Sequence, residues 1–303
     1  MSVARVRVAL IGAGGLARAM AGALSAAGGF DVTVGARRPA RAAAVARGRA
    51  RVRAVAPMAD ALAGAAIVVV AVPDAAIATV ARSLAATRRS WRGVVVLHAA
   101  GSLGTRPLAL FARRGAATGV LHPLAVLAAR GTAALRGAAA RIEGAPRARA
   151  AASRLARAAG LVPLRASGLS TPSGRIAYHA AASLASNDLV GLLVAAGDLL
   201  RSLGVPPRAA ERAVSRLAQG ALDQARAAGR RGAFTGPVAR GDAATLESQL
   251  RALSARDPEA AAAHRALSAR LLRFARKGGR LSARQSARLS EVIGRGRGRL
   301  RAV

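Results

Sequence analysis

Several short strings in this chain combine residue types and spacings that could do chemistry. The first is Gly12-Ala13-Gly14-Gly15-Leu16-Ala17, which follows an apolar run and opens an alanine-rich one. A Gly-x-Gly-x-x-Ala turn between a strand and a helix is the cradle of a dinucleotide. Gly12 makes the tight turn, Gly14 lets a pyrophosphate approach the backbone, and Ala17 keeps helix and strand close. Gly15 and Leu16 complete the turn, and the N-terminus of the helix that follows offers free N–H groups and a positive dipole end to the phosphates. The second string is Val34-Gly35-Ala36-Arg37-Arg38, and no acid occurs between Asp31 and Asp60. A site for NAD wants an acid at the end of that strand to accept from the ribose 2′-hydroxyl. Two guanidinium groups there suit a 2′-phosphate instead, so NADP is favoured. The competing reading is that Arg37 and Arg38 are two of many arginines.

Two further segments fall at the ends of apolar runs, where open α/β sheets bind ligands. Val72-Pro73 and His98-Ala99-Ala100-Gly101 would let backbone approach the nicotinamide half, although His98 could equally be a loop residue satisfied by hydrogen bonds. In the later Tyr178-to-Asp188 segment the polar residues have helical spacing. At about 100° per residue, His179, Ser183 and Ser186 share one stripe with Asn187 on its flank. Such a stripe either packs against the first domain or faces nicotinamide and substrate across an interdomain cleft, with Tyr178 and Ser183 touching the substrate. In the loop from Thr235 to Asp242, Arg240 could hold a substrate carboxylate together with Asp242. Alternatively the two pair with each other, or Asp242 caps the helix that starts at Ala243.

A reductase must protonate or polarise the atom that gains charge. All but one of the 48 basic residues are arginine, and the exception, Lys277, lies near the C-terminus, so a lysine acid is set aside. His122, His179 and Asn187 remain as catalytic candidates, with Tyr178 behind them; histidine has the right ordinary pKa for proton transfer. No HExxH string or close His/Asp/Glu cluster points to a metal, and the G-x-S-x-G and Walker patterns are absent.

The elements that must position these residues follow from the pattern. Ala4–Ile11, Asp31–Val34, Ile67–Val72, Val94–Leu97 and Val120–Leu121 are short apolar runs alternating with alanine-rich helical stretches such as Ala19–Ala27. That alternation predicts a parallel sheet covered on both faces, to about Arg165. Beyond Ser170-Thr171-Pro172 the period becomes helical throughout, with one long helix expected over Ser173–Leu203. The predicted fold class is α/β: a dinucleotide-binding domain over residues 1–168, then an all-α domain over 169–277 and a basic flexible tail over 278–303.

The chain has 303 residues, 53% hydrophobic but only 2% aromatic, so its core must be built from Ala, Val and Leu. A formal charge of +35 invites a nucleic-acid reading, yet the arginines are dispersed and aromatic stacking platforms are scarce, so no specific nucleic-acid partner is expected. There is no cysteine, the first residues lack the apolar core of a secretory signal, and the most apolar window, Ala180–Leu200, carries Asp188 and Asp198. A soluble cytoplasmic protein without membrane contact is expected.

The turn at Gly12, the His122-Pro123-Leu124 string, the Tyr178–Asp188 segment and the string Phe234-Thr235-Gly236-Pro237-Val238-Ala239-Arg240-Gly241-Asp242 together resemble a bacterial family of NADP-dependent oxidoreductases. The likeness runs from about Val6 to Leu253. This resemblance implies a Rossmann domain followed by a helical domain of the 6-phosphogluconate-dehydrogenase-like group, akin to pyrroline-carboxylate and ketopantoate reductases. It implies hydride transfer between NADP(H) and a small carbonyl, imine or hydroxy substrate, and pairing of two copies through the helical domain. Ala100, where the family tends to have serine, and Ala125, where it tends to have glutamine, depart from its pattern. The alternative from the residues alone is a non-enzymatic NADP-binding or sensing protein.

Overall fold

In the computed structural model, which describes residues 4–127, 131–232 and 234–295, alternation of strands and helices dominates the N-terminal half. Strands β1 (Val6–Ile11), β2 (Phe30–Gly35), β3 (Val52–Val55), β4 (Ile67–Val70), β5 (Val95–His98), β6 (Ala117–Pro123), β7 (Ala139–Gly144) and β8 (Val162–Leu164) form one sheet. Its order is β3-β2-β1-β4-β5-β6-β7-β8. All neighbours are parallel except β6 and β7, which run antiparallel with His122 opposite Arg141. The expectation of a purely parallel sheet is therefore corrected at β7. Its short charged run, Ala139-Ala140-Arg141-Ile142-Glu143-Gly144, lacks the continuous apolar signature of a strand buried on both faces.

Helices α1 (Gly15–Ala27), α2 (Pro39–Ala46), α3 (Asp74–Ala86), α4 (Ala109–Arg113), α5 (Pro146–Ala158) and α6 (Pro172–Ala185) accompany the sheet. The period of two along β1 sends Val8 and Leu10 into a cluster with Met20 and Leu24 of α1 and Leu155 of α5. Ala9 and Ile11 face the opposite cluster, with Ile77 and Leu84 of α3, Trp91 and Phe111. Small side chains thus fill both faces. The few aromatics sit where the filling is thickest, as in the edge-to-face contact of Trp91 and Phe111 at 4.7 Å.

The chain divides into two compact units at Ser186/Asn187 rather than near residue 168. The single long helix expected over Ser173–Leu203 is interrupted at Ser186, whose φ of −129° and ψ of −74° are not helical. Helix α6 belongs to the first unit because Tyr178 is buried there and Arg175 pairs with Glu143. The second unit is all-helical: α7 (Asn187–Ser202), α8 (Pro207–Gly232), α9 (Pro237–Arg240), α10 (Ala243–Arg256), α11 (Pro258–Lys277) and α12 (Ala283–Gly294). Its core gathers Phe234, Leu246, Leu250, Leu272 and Leu289. The stretch Pro172–Ser202 is apolar and long enough to cross a membrane by length and composition, and it is almost wholly uncovered.

The basic tail expected from residue 278 is corrected over most of its length. Ser282 and Gln285 form a reciprocal capping box, and Leu289, Val292 and Ile293 bury the inner face of α12. Residues 296–303 of that tail lie outside the described residues.

Candidate functional site

The strand order reverses between β1 and β4, and the turn after β1 lies at the carboxyl edge of that switch, where open sheets bind ligands. Gly12 has φ +126°, and a Cβ there would stand 2.3 Å from the Ala71 carbonyl oxygen, so only glycine allows β1 to turn this close to β4. A Cβ on Gly14 would meet nothing within 4 Å, which leaves open space over the turn. Helix α1 starts at Gly15, four residues before the expected Ala19, and Gly14 supplies no side-chain cap. The first N–H groups of α1, on Gly15, Leu16 and Ala17, thus remain available to an anion. This cradle fits the pyrophosphate of a dinucleotide. Arg37 and Arg38 follow β2 at the same edge, both exposed, and neither guanidinium has a hydrogen bond or ion pair among the described residues. They fit a 2′-phosphate. Val72 and Pro73 follow β4 on the other side of the switch, with Pro73 exposed at the start of α3.

The carboxyl ends of β5 and β6 hold the histidines. His98 is fully buried; its Nε2 donates to the Gly104 carbonyl at 2.8 Å and its Nδ1 accepts from the Ala100 N–H at 3.1 Å. Burial pushes its pKa down, consistent with a neutral ring spent entirely on the loop that follows. The expectation that His98 binds cofactor is corrected to the loop-shaping alternative. Its polar atoms fix residues 100–104, including Gly101. A Cβ on Gly101 would stand 2.7 Å from His179 Nδ1 and 2.9 Å from His122 Nε2, so glycine lets both rings reach the backbone.

His122, at the end of β6, has Nδ1 at 3.2 Å from the Tyr178 hydroxyl, with the two rings edge-to-face at 5.5 Å. The His179 ring lies 6.4 Å from that of His122 and is exposed. Burial, followed by the charges of Arg141, His179 and His98, pushes the His122 pKa down to about 4. Burial pushes the Tyr178 hydroxyl up, with Arg141 opposing, so tyrosine keeps its proton at neutral pH. The site therefore presents a neutral imidazole on a protonated phenol.

Three residues that sequence reasoning missed stand behind this pair. Arg141 is fully buried and donates to the Ala100 and Leu103 carbonyls at 3.2 and 2.8 Å, and it pairs with Glu143. Its Nε has no partner among the described residues, and its guanidinium carbon lies 5.9 Å from the Tyr178 ring centre. Glu143 also pairs with Arg175 of α6 at 3.0 Å. A hidden signal existed: Arg141 and Glu143, two apart on a strand, share one face, and the chain has only 13 acids. Arginine is too frequent here for Arg141 itself to stand out.

Of the other expected residues, Ser183 shares the first unit with this cluster, whereas Asn187, Arg240 and Asp242 belong to the second. Ser183 of α6 is half-buried, and Asn187 is exposed at the first position of the second unit. Asp242, expected to bind substrate, instead caps α10, accepting from the Thr245 N–H at 3.0 Å and the Thr245 hydroxyl at 2.6 Å. Arg240 ends α9, where Gln285 donates to its carbonyl. His264 is half-buried on α11, and burial lowers its pKa.

Residues 7–102 match a family described as NADP oxidoreductase, coenzyme F420-dependent, and residues 138–271 match a domain of unknown function, DUF2520. The chain joins an F420/NADP oxidoreductase domain to a DUF2520 domain. No match is found among curated proteins. Among solved structures, protein TM1727 from Thermotoga maritima superposes with a TM-score of 0.66 at 22% identity, over 90% of this chain and 100% of its own. A pyrroline-5-carboxylate reductase from Coxiella burnetii gives 0.57 at 18% identity, over 87% and 97%. An imine reductase from Aspergillus terreus, solved with NADPH4 and a dibenzazepine, gives 0.55 at 21% identity, over 98% and 96%. These likenesses establish the fold, a Rossmann-like α/β domain followed by a helical region. The turn at Gly12 and the His122–Tyr178 pair occupy the same edge of the sheet.

Proposed function

We propose that the chain is an oxidoreductase that transfers hydride between NADP(H) and a small carbonyl, imine or hydroxy substrate. The observation that carries this reading is the open, uncapped turn at Gly14 on the sheet edge that also holds a neutral His122 bonded to Tyr178. Gly12 and Gly14 with the first N–H groups of α1 would hold the pyrophosphate, and Arg37 with Arg38 the 2′-phosphate. When bound there, the reduced cofactor supplies the hydride.

The chain's own residues supply the proton. In the tautomer whose Nδ1 accepts from the Tyr178 hydroxyl, which also lies 3.4 Å from the His122 carbonyl, the His122 hydrogen sits on Nε2, the nitrogen facing Gly101. As the substrate oxygen or nitrogen takes that hydrogen, Nδ1 takes the proton of Tyr178, and His122 stays neutral throughout. The phenolate so formed lies over the Arg141 guanidinium and is reprotonated from solvent. With its pKa pushed down to about 4, His122 is neutral at neutral pH, so its Nε2–H is the hydrogen it offers. His179, exposed across Gly101 from His122, is the substrate-side partner.

Two copies of the chain pair through the helical unit. Val190, Leu192 and Val194 of α7, with Leu217 and Leu222 of α8, are large apolar side chains left exposed. Large exposed apolar side chains in this number support a covered face.

The test is single-turnover oxidation of NADPH with a panel of cyclic imines and small ketones. Tyr178→Phe is expected to slow the step about 100-fold or more while leaving NADPH affinity nearly unchanged. Unchanged rates in that variant would remove Tyr178 from the chemistry. NADPH binding with no turnover of any class would reduce the protein to a binding module.

A further inference from the structure

A cavity of about 710 Å3 in the first unit is lined by the 102–107 loop and by α3, α4 and α6. We infer that it is a binding site for a small multiply charged oxyanion, carboxylate or phosphate, carried on a partly apolar body. Its walls present Arg82 of α3, Arg106 of the loop, Arg113 of α4 and Arg175 of α6, with the Ser102 and Thr105 hydroxyls between them. Such a volume suits a compact metabolite.

Charge balance favours an anion here, as it does in the smaller cavity beside α5 and β8, whose lining has Arg149, Arg157 and Arg165 and no acid; this cavity differs in reaching, through Arg175, the loop behind the histidine pair. Glu143 is the only acid on its lining, and both its oxygens are taken, one by Arg141 and one by Arg175. Arg82, Arg106 and Arg113, all exposed, have no hydrogen bond or ion pair among the described residues, so three cations line one concavity without a counter-charge. A recess focuses the field of such groups, and a guanidinium fork matches a carboxylate or phosphate. The cavity beside β1, β2 and β3 sets Asp31 among its arginines, and Arg53 there already donates to Thr33. The apolar part of the ligand has its own contacts in Leu103, Leu110 and Ile176.

The site is placed to be felt at the histidine pair. The loop that lines it is held from behind by Arg141, and its Gly104 carbonyl accepts from His98. Arg175 approaches Gly104 so closely that a Cβ there would lie 3.0 Å from its guanidinium carbon. An anion drawn to Arg175 therefore competes with Glu143, the partner that also steadies Arg141.

The experiment is isothermal titration of the full chain with citrate, and separately with inorganic phosphate, at physiological ionic strength, where diffuse surface attraction is screened. Three proteins are compared: the unaltered chain, Arg82→Gln/Arg106→Gln/Arg113→Gln, and a charge-matched control, Arg208→Gln/Arg212→Gln/Arg216→Gln, from exposed positions on α8. The expected result is saturable one-site binding of at least one anion. It should weaken at least tenfold in the cavity variant and stay within twofold in the control. Equal weakening in both variants, or no saturable binding to the unaltered chain, would overturn the inference. No turnover is read, so failure here leaves the proposed hydride transfer untouched, and failure of that transfer leaves this site standing.

Discussion

Acidification should destabilise the first unit through His122, because the folded chain refuses a proton that the unfolded chain accepts. Its pKa falls from the ordinary 6.5 to about 4 on folding. Above the ordinary value both states are neutral and the full stability is present. As pH falls from there towards 4, the unfolded state binds a proton first, so stability drops across that window. From the two pKa values the loss is about 2 kcal/mol at pH 5 and about 3 kcal/mol at pH 4. His98 is shifted in the same direction, so a difference between proteins isolates His122. Trp91, the only tryptophan, is fully buried in the same unit and reports its urea unfolding by fluorescence. Between neutral pH and pH 5 the unaltered protein should lose about 2 kcal/mol more than His122→Asn. Equal losses in the two proteins would refute the claim that His122 is held neutral by burial.

Gly12→Ala should cost the first unit about 2–4 kcal/mol and abolish NADPH binding, since the added carbon meets the Ala71 carbonyl at a positive φ; unfolding and nucleotide titration read both. Arg141→Met should destabilise the unit by about 3 kcal/mol or more, leaving two loop carbonyls unpaired. With that cation gone the His122 pKa should rise, which a ring-proton NMR titration follows; Arg141→Lys, retaining the charge, should show the smaller rise. Val190→Glu/Val194→Glu should convert a dimer to a monomer in sedimentation experiments at micromolar protein, with the first unit's unfolding unchanged.

The parts legible in the sequence are those where backbone geometry restricts residue choice. Gly12 and Gly14 announce the turn because no side chain fits at one and the other must stay bare. The strands of the parallel region read as apolar runs because helices cover both faces. Strand β7 escaped because its fully buried Arg141 looks, as a letter, like a surface arginine. Only the fold puts it opposite His122 and gives it two carbonyls and Glu143. Helix α12 escaped because arginine and glycine dominate that end of the chain. Yet Ser282, Gln285 and the spacing of Leu289, Val292 and Ile293 carry the cap and the buried stripe. The histidine site was half legible. His122 and Tyr178 were singled out from their strings, whereas their direct bond joins residues 56 apart and depends on where α6 docks.

The central claim is that this chain binds and uses NADP(H), and titration of NADPH and NADH, followed by cofactor fluorescence, tests it most directly. NADPH should bind at least about tenfold more tightly than NADH, and Arg37→Ala/Arg38→Ala should erase the difference by weakening NADPH alone. Binding of neither nucleotide, or equal affinities that the double variant leaves unchanged, would contradict it.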